Sequence, residues 1–114
     1  MKIEEIIKKT VNETVKKLKS ESLLQDAYKR TEKHLKNYPD WKKDKMHEDE
    51  CLKIENALKT IEKDCYYSII EYKYFDNMTL EEIAEIFDVD VSTVSRQRHR
   101  LITRLKWLLF PEDF

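Results

Sequence analysis

The side chains with the clearest chemical potential lie in a basic segment near the carboxyl end of the chain. Five cations fall between residues 96 and 106, and no acidic residue occurs between Ser92 and Leu109. An arginine in such a segment can donate two hydrogen bonds to guanine O6 and N7, or to a phosphate group. The chemistry is therefore that of a contact with duplex DNA. The candidate contacts are Val91, Ser92, Ser95, Arg96, Arg98, His99, Arg100 and Arg104.

The overall charge of the chain conceals this local excess of cations. The chain has 22 basic and 23 acidic residues, and its formal net charge is −1. Residues 40–90 carry seven basic and 15 acidic residues, whereas residues 91–114 carry five basic and two acidic ones. A DNA contact depends on the local potential of one face more than on the summed charge. The charge distribution thus favours a DNA-binding surface at the carboxyl end.

Two helix-start signals place the basic segment on the second of two consecutive helices. Thr79 and Glu82 have the spacing of a capping box, in which each side chain satisfies a backbone N–H of the other residue. Asp90 is a suitable N-cap for the next helix. Asp88 stands between the helices where glycine is usual, and aspartate tolerates a left-handed backbone better than most residues. We therefore predict a helix that ends near Asp88 and a second helix over about residues 91–109.

The spacing of small and apolar residues indicates how these two helices cross. Ala84 is a small residue at the predicted crossing point, Val89 fills the corner, and Val94 packs back against Ala84. This is the pattern of a helix-turn-helix, whose second helix lies in the major groove. Thr79 joins the candidate DNA contacts, since helix N-termini can donate to phosphates. The predicted buried residues are Leu80, Ile83, Ala84, Ile86 and Phe87 of the first helix and Val94, Leu101, Leu105 and Leu108 of the second.

The upstream part of the chain is expected to be helical as well. Apolar residues recur every three or four positions, which predicts helices near residues 2–19 and 23–37. Pro39 is expected to end the second of these, because proline disfavours the α conformation of the residue before it. A charged connector over residues 39–50 then leads to helices over about 47–62 and 64–75. The apolar positions predicted for the former are Leu52, Ala57, Leu58 and Ile61.

The composition favours an all-α fold. The 114 residues include no glycine and two prolines, whereas tight hairpins between strands usually need residues that accept positive φ. No apolar run approaches the roughly 18 residues of a membrane span, and the N-terminus lacks the apolar core of a signal peptide. We therefore expect a cytoplasmic protein that does not contact membranes. Cys51 and Cys65 are expected to be small core residues in a reducing compartment.

Other chemistry is disfavoured by what the pattern lacks. His47 and Cys51 are four residues apart, but a closed zinc site needs four ligands and no second pair accompanies them. Without glycine, neither a phosphate-binding loop nor a nucleophile elbow forms in its usual geometry, so we expect no enzyme activity, cofactor or metal.

The opposing interpretation of the basic segment is a helical hairpin whose cations are only solvated. His34 is expected to be solvated, and Trp107 to be buried in the core or beneath the N-terminal helices.

Residues 54–110 resemble region four of bacterial sigma factors, the module that reads the −35 promoter element. The most specific part of the likeness is the run Y-F-x-x-x-T-L-E-E-I-A-E. The whole chain resembles the ArpU- and RinA-type regulators of phage late transcription more closely, and TEKHLKNYPDWKK at residues 31–43 is similar to their upstream signature. The resemblance implies an N-terminal helical region over residues 1–45 and a sigma-region-four-like helix-turn-helix domain over residues 46–114. It also implies an activator of late genes in phages or prophages of Gram-positive bacteria.

Three functions remain open at this point. The first is a sequence-specific transcription regulator, the second a small terminase subunit for DNA packaging, and the third a sigma-like module that binds RNA polymerase or a sigma factor. Small terminases usually place their DNA-binding unit before the oligomerisation helix, which is the reverse of the order here. An autonomous sigma factor is disfavoured, because 53 upstream residues are too few for a second module. We expect the second N-terminal helix to pack on residues 50–75 and the first to form a homodimer.

Overall fold

The computed structural model describes residues 26–113 as a set of helices joined by turns. No strand occurs among these residues, and the all-α prediction is confirmed. The predicted helix near residues 2–19, and with it the predicted dimer contact, lies outside the described residues. The elements are α1 (26–44), α2 (Glu48–Ile61), α3 (Ser68–Ile70), a π-helical turn (Glu71–Phe75), α4 (Leu80–Phe87), α5 (Val91–Leu109) and a 3₁₀ turn (Pro111–Asp113).

Helix α1 continues through Pro39 to residue 44, so the prediction that Pro39 ends this helix is wrong. Contacts with α2 hold the segment around the proline. The Tyr38 hydroxyl donates to Glu55 Oε1 at 2.8 Å, and Lys42 Nζ lies 2.8 Å from the same oxygen. A proline in a helix interior costs about 3 kcal/mol or more, and these tertiary contacts help to offset that cost. Of the predicted connector, only residues 45–47 lie outside the two helices.

The core brings α1, α2 and α5 together around α3 and the π-helical turn. Leu35 of α1 is fully buried with Ile54 and Ile61 of α2 and with Leu101 and Leu105 of α5. The prediction that the second N-terminal helix packs on residues 50–75 is therefore confirmed. Because α1 contacts both α2 and α5, it supports the basic helix from behind.

The apolar stripes differ from the prediction at their edges. Leu52, Ile86 and Leu108 were predicted to be buried, and they are 57%, 53% and 45% exposed. On α5 the buried stripe instead includes Ile102 and Leu109, which lie three or four residues from other buried positions. The three exposed residues lie at the edge of the apolar face of their helix. The sequence alone does not show whether another helix covers that edge.

Three further predictions about side-chain exposure and one about a helix start differ from the structure. Trp107 is 48% exposed, so the prediction of a core position is wrong. The alternative prediction, that the N-terminal helices cover Trp107, involves residues before 26 and lies partly outside the described residues. Cys51 is buried as predicted, whereas Cys65 is exposed on the turn between α2 and α3. His34 is half-buried rather than fully solvated, because its ring packs edge-on against Trp41 and Phe110. The fourth helix begins at Ser68, four residues after the predicted cap.

A π-helical turn between α3 and α4 carries two tyrosines that contact different helices. The Asp76 N–H donates to the Glu71 carbonyl at 3.0 Å, which closes a π-helical turn. Tyr74 is buried and donates from its hydroxyl to Glu32 of α1 at 2.8 Å, whereas Tyr72 packs against Phe87 of α4. The turn thus joins the support helix α1 to the helix-turn-helix. None of the described helices is both long and apolar enough to cross a membrane.

Candidate nucleic-acid interface

Helix α4 begins with the capping box that the sequence predicts. Thr79 Oγ1 accepts the Glu82 N–H at 3.2 Å, and the Thr79 N–H donates to Glu82 Oε1 at 3.4 Å. The Thr79 side chain is exposed at this helix start. Its hydroxyl is engaged with Glu82, and the acidic side chains of Glu81 and Glu82 lie in the first turn of α4.

The corner between α4 and α5 has the predicted geometry. Asp88 adopts the left-handed conformation, with φ 54° and ψ 50°, and its N–H donates to the carbonyls of Ala84 and Glu85. Val89 N–H donates to the Ala84 carbonyl at 3.1 Å. Ala84 and Val94 are buried in one small cluster, and Val89 packs against it. The helix-turn-helix prediction is therefore confirmed in the α4 capping box, the crossing residue and the corner.

The start of α5 differs from the prediction in one respect. Asp90 occupies the N-cap position, with φ −68° and ψ 150°, but its side chain forms no capping hydrogen bond. The first turn is closed by the Asp90 carbonyl, which accepts from Thr93 N at 3.0 Å and from Val94 N at 3.3 Å. No acidic residue lies in the first turn of α5 after this cap. The helix N-terminus therefore presents its partial positive charge next to the candidate contacts.

The outward side of α5 carries four of the predicted contacts, all in its first two turns. Ser92 and Arg96 are exposed one helical turn apart, and Ser95 is half-buried between them and the core. Val91 is 38% exposed at the beginning of the helix. The Arg96 guanidinium bonds from Nη2 to Thr93 Oγ1 at 3.4 Å, which is a long contact for a hydrogen bond. Arg96 can therefore leave this contact at little cost and reach an external acceptor.

Arg98 lies on the inner side of α5 rather than on the outward side. Position 98 follows the buried Val94 by one turn, and its Nε atom is buried without a hydrogen-bond partner. The side chain reaches Tyr28 of α1 and the region around Tyr74. Burial raises the pKa of Tyr28, and the nearby Arg98 opposes that rise. In this position Arg98 contributes to the packing between α1 and α5.

His99 is exposed but lies against α1. Its ring stacks on the ring of Tyr28, with centroids 5.1 Å apart and planes inclined by 28°. Arg104 is exposed further along the helix, and its charge contributes to lowering the pKa of Asp64. The structure thus brings Ser92 and Arg96 together on one side, turns His99 toward α1, and leaves Arg104 near the turn between α2 and α3.

Arg100 follows Arg96 by one turn and is bound within the protein. Its Nη1 and Nη2 atoms donate to the two carboxylate oxygens of Asp64, both at 2.9 Å, and its Nε donates to Gln97 Oε1 at 2.8 Å. The hydrogen bonds from Arg100 and from the Tyr66 backbone hold the pKa of Asp64 below its ordinary value. The carboxylate therefore remains ionised at neutral pH and neutralises the Arg100 charge.

Sequence analysis missed the partners that orient these side chains. Tyr28, Asp64 and Gln97 each contact a candidate residue of α5. Gln97 lies three residues from Arg100, so the i, i+3 spacing signalled that contact. Tyr28 and Asp64 are 71 and 36 positions from their partners, and only the packing of α1 and of the α2–α3 turn against α5 brings them close. No group of three potential metal ligands lies together in the part of the chain that the structure describes.

A family model matches this segment. The model of Sigma-70, region 4 covers residues 66–105, from the end of the turn before α3 to the fourth turn of α5. The chain is thus similar to sigma region 4 over its helix-turn-helix, and the match supports a DNA-binding, transcription-related role for this part. Neither curated proteins nor solved structures gave a match to the chain. The sigma-region-4-like character is confirmed, and the resemblance to a particular type of phage regulator stays a prediction.

Proposed function

We propose that this protein is a sequence-specific regulator of transcription that binds duplex DNA through the N-terminal half of α5. The observation that carries the proposal is the capped helix-turn-helix over residues 79–109, in which Ser92 and Arg96 face outward from α5. The second helix of such a motif lies in the major groove. The similarity of residues 66–105 to sigma region 4 supports the same orientation.

Arg96 is the proposed base-reading residue. It is exposed, it lies in the second turn of α5, and its internal hydrogen bond is long. A guanidinium in that position can donate two hydrogen bonds to guanine, a contact that contributes about 1–3 kcal/mol of discrimination between bases. Ser92 lies one turn closer to the helix N-terminus and would contact a base edge or a phosphate. Arg104 is two turns beyond Arg96, where we expect at most a phosphate contact.

The opposing interpretation is a helical hairpin with a solvated basic face. It accounts for exposed arginines but not for the left-handed Asp88 corner, the buried Ala84 crossing and the region 4 match occurring together. An enzymatic role receives no support from the described residues, whose titratable groups in this region form capping and ion-pair contacts. DNA binding is therefore the function that the geometry supports best.

We further propose that the regulated genes are late genes of a phage or prophage and that the protein activates them. The support is the resemblance of residues 31–43 to the upstream signature of ArpU- and RinA-type regulators. Those residues form most of α1, whose Leu35 and Tyr38 pack against the rest of the protein. The proposal gives α1 a supporting role and leaves recognition of DNA to α5.

Selection of bound fragments from the genome that encodes the protein tests this function. The expected result is enrichment of one promoter-proximal sequence upstream of a late operon. Enrichment of a site within a terminase gene would instead indicate the packaging function. Binding to RNA polymerase or a sigma factor without any enriched DNA would indicate the third alternative, a sigma-like interaction module. A solvated hairpin would give neither enriched fragments nor salt-dependent binding to duplex DNA.

We also propose a homodimer that involves the residues before α1. Helix-turn-helix proteins commonly dimerise to span two half-sites about one helical turn apart. Sedimentation of the full chain and of a chain that starts at Ser20 tests this proposal. We expect a dimer for the full chain and a monomer for the shorter one, and a monomer in both cases would contradict it.

A further inference from the structure

Asp64 and Gln97 together engage both of the paired-donor edges of the Arg100 guanidinium. A guanidinium has two edges that can present paired N–H donors to a carboxylate or a phosphate: the end formed by Nη1 and Nη2, and the side formed by Nε and Nη2. The Asp64 carboxylate occupies the end with two 2.9 Å hydrogen bonds. Gln97 Oε1 accepts from Nε at 2.8 Å, which uses one donor of the side. No edge of Arg100 keeps two free donors.

The Asp64 side chain is also held by a contact that does not involve Arg100. Its Oδ1 atom accepts the Tyr66 N–H at 2.9 Å within the turn between α2 and α3, and the side chain is only 18% exposed. A carboxylate that is already oriented loses little side-chain freedom when it binds an arginine. The Arg100 side chain is 45% exposed, so it lies at the surface where DNA phosphates would compete for it.

We propose that Asp64 withholds Arg100 from DNA and so lowers the affinity of α5 for random sequence. Arg100 lies one turn beyond the proposed base-reading residue Arg96, where a free cation would contact phosphates of any sequence. Phosphate contacts add affinity without adding information about the bases. By neutralising this one arginine, Asp64 increases the ratio of cognate to random binding. The inference rests on the proposed function, because it assigns a specificity-determining residue to the same DNA-contacting helix.

The substitution Asp64→Asn tests the proposal with little change in shape. The asparagine carbonyl keeps an acceptor for the Tyr66 N–H, while the neutral amide removes the charge and one of the two acceptor oxygens. Glu62→Gln is the matched control, because it removes one negative charge from the same exposed turn region at a residue that makes no hydrogen bond with Arg100. Arg100→Ala and the double variant with Asp64→Asn complete the set.

Fluorescence anisotropy gives the Kd of each variant for the genome-selected duplex and for a scrambled duplex between 50 mM and 200 mM salt. For Asp64→Asn we expect tighter binding to the scrambled duplex at low salt. We also expect its salt slope to be steeper by about 0.9, which corresponds to an affinity loss about threefold larger than that of the wild type over this range. Glu62→Gln should change the slope much less. Arg100→Ala should leave the wild-type slope unchanged and should abolish the effect of Asp64→Asn in the double variant.

Three results would overturn the proposal while leaving the DNA-binding function intact. The first is an equal change in the salt slope for Asp64→Asn and Glu62→Gln. The second is a change in slope for Asp64→Asn that persists when Arg100 is replaced by alanine. The third is a salt slope that falls by about 0.9 in Arg100→Ala alone. The last comparison does not depend on the folding of the Asp64 variant. If the wild-type protein binds neither duplex at low salt, then the proposed function itself fails. Circular dichroism of each variant first establishes that its helical content is unchanged.

Discussion

Tyr28 of α1 stacks on His99 of α5, with ring centroids 5.1 Å apart. The contact joins the upstream helix to the middle of the proposed DNA-reading helix. Arg98, the residue before His99, approaches the same tyrosine from the inner side of α5. Two consecutive α5 side chains that the sequence assigned to the DNA surface are therefore in contact with α1.

A double-mutant cycle on this ring pair measures how strongly α1 holds α5. Stacked aromatic pairs contribute about 1 kcal/mol beyond the area that they bury. We expect a coupling of that size between Tyr28→Ala and His99→Ala in the free energy of unfolding from urea denaturation. A cycle between Tyr28→Ala and the distant exposed Ser92→Ala is the control and should show no coupling. Additive effects of the Tyr28 and His99 substitutions would show that the stack does not stabilise the protein.

Arg96 and Arg104 should differ in what their loss does to DNA binding. We expect Arg96→Ala to weaken binding to the cognate site about tenfold or more while changing binding to random DNA much less. Arg104→Ala should weaken both by similar factors and reduce the salt slope by about one. Binding isotherms at several salt concentrations provide both quantities. Equal losses for cognate and random DNA in Arg96→Ala would contradict the placement of this residue in the major groove.

His34 should make stability depend on pH. Its Nδ1 lies 2.9 Å from the Arg30 carbonyl, which can only accept, so Nδ1 carries the proton of the neutral ring. Burial lowers the pKa of His34 below its ordinary value of 6.5, and the nearby Arg30 charge acts in the same direction. The unfolded chain then binds more protons than the folded chain between the two pKa values, so stability rises with pH. The contribution of His34 is complete above the unfolded pKa and is lost as the pH falls through 6.5 toward the folded pKa.

Urea denaturation at pH 7.5 and 5.5 tests this dependence against the variant His34→Gln. The wild type should lose more stability than the variant over this interval. Asp64 and Glu55 do not obscure the result, because hydrogen bonds from Arg100 and Lys42 respectively lower the pKa of each carboxyl group, so both titrate below this range. An identical loss in wild type and variant would show that His34 titrates alike in the folded and unfolded chains.

Asp88 should tolerate replacement by asparagine but not by valine. Its φ of 54° lies in the left-handed region, which asparagine and aspartate adopt more readily than other residues with a β-carbon. We expect Asp88→Val to lower the free energy of unfolding by about 1–2 kcal/mol relative to Asp88→Asn. Thermal denaturation followed by circular dichroism measures the difference, and equal stabilities would mean that the corner relaxes away from the left-handed conformation.

Local signals in the sequence identified the helix-turn-helix because its determinants are close together in the chain. Thr79 and Glu82 cap α4 within four residues, and Asp88 and Val89 form the corner within a single turn. Each of these contacts depends on side-chain type and short spacing, which the sequence displays directly. The DNA contacts proposed on α5 remain predictions, whereas the scaffold that presents them is confirmed.

Features that depend on distant partners were predicted less well. The sequence around Pro39 contains a helix-ending signal. The helix continues because Tyr38 and Lys42, on either side of the proline, form a hydrogen bond and an ion pair with Glu55 of α2. An arginine is usually exposed, which favoured placing Arg98 on the surface. Its position on the buried side of α5 instead directs its side chain toward Tyr28 of α1. No local pattern in the sequence marks the π-helical turn at Glu71–Phe75.

The absence of glycine from this chain has a thermodynamic consequence for the unfolded state. Among residues 26–113, four non-glycine residues adopt left-handed conformations, namely Lys45, His47, Asn77 and Asp88. This conformation costs about 1–2 kcal/mol for most residues with a β-carbon and less for asparagine and aspartate. Glycine at these turns would relieve that strain, but it would also widen the set of conformations open to the denatured chain. The unfolded chain therefore has fewer accessible conformations than one with glycine at these turns. Its loss of conformational entropy on folding is correspondingly smaller.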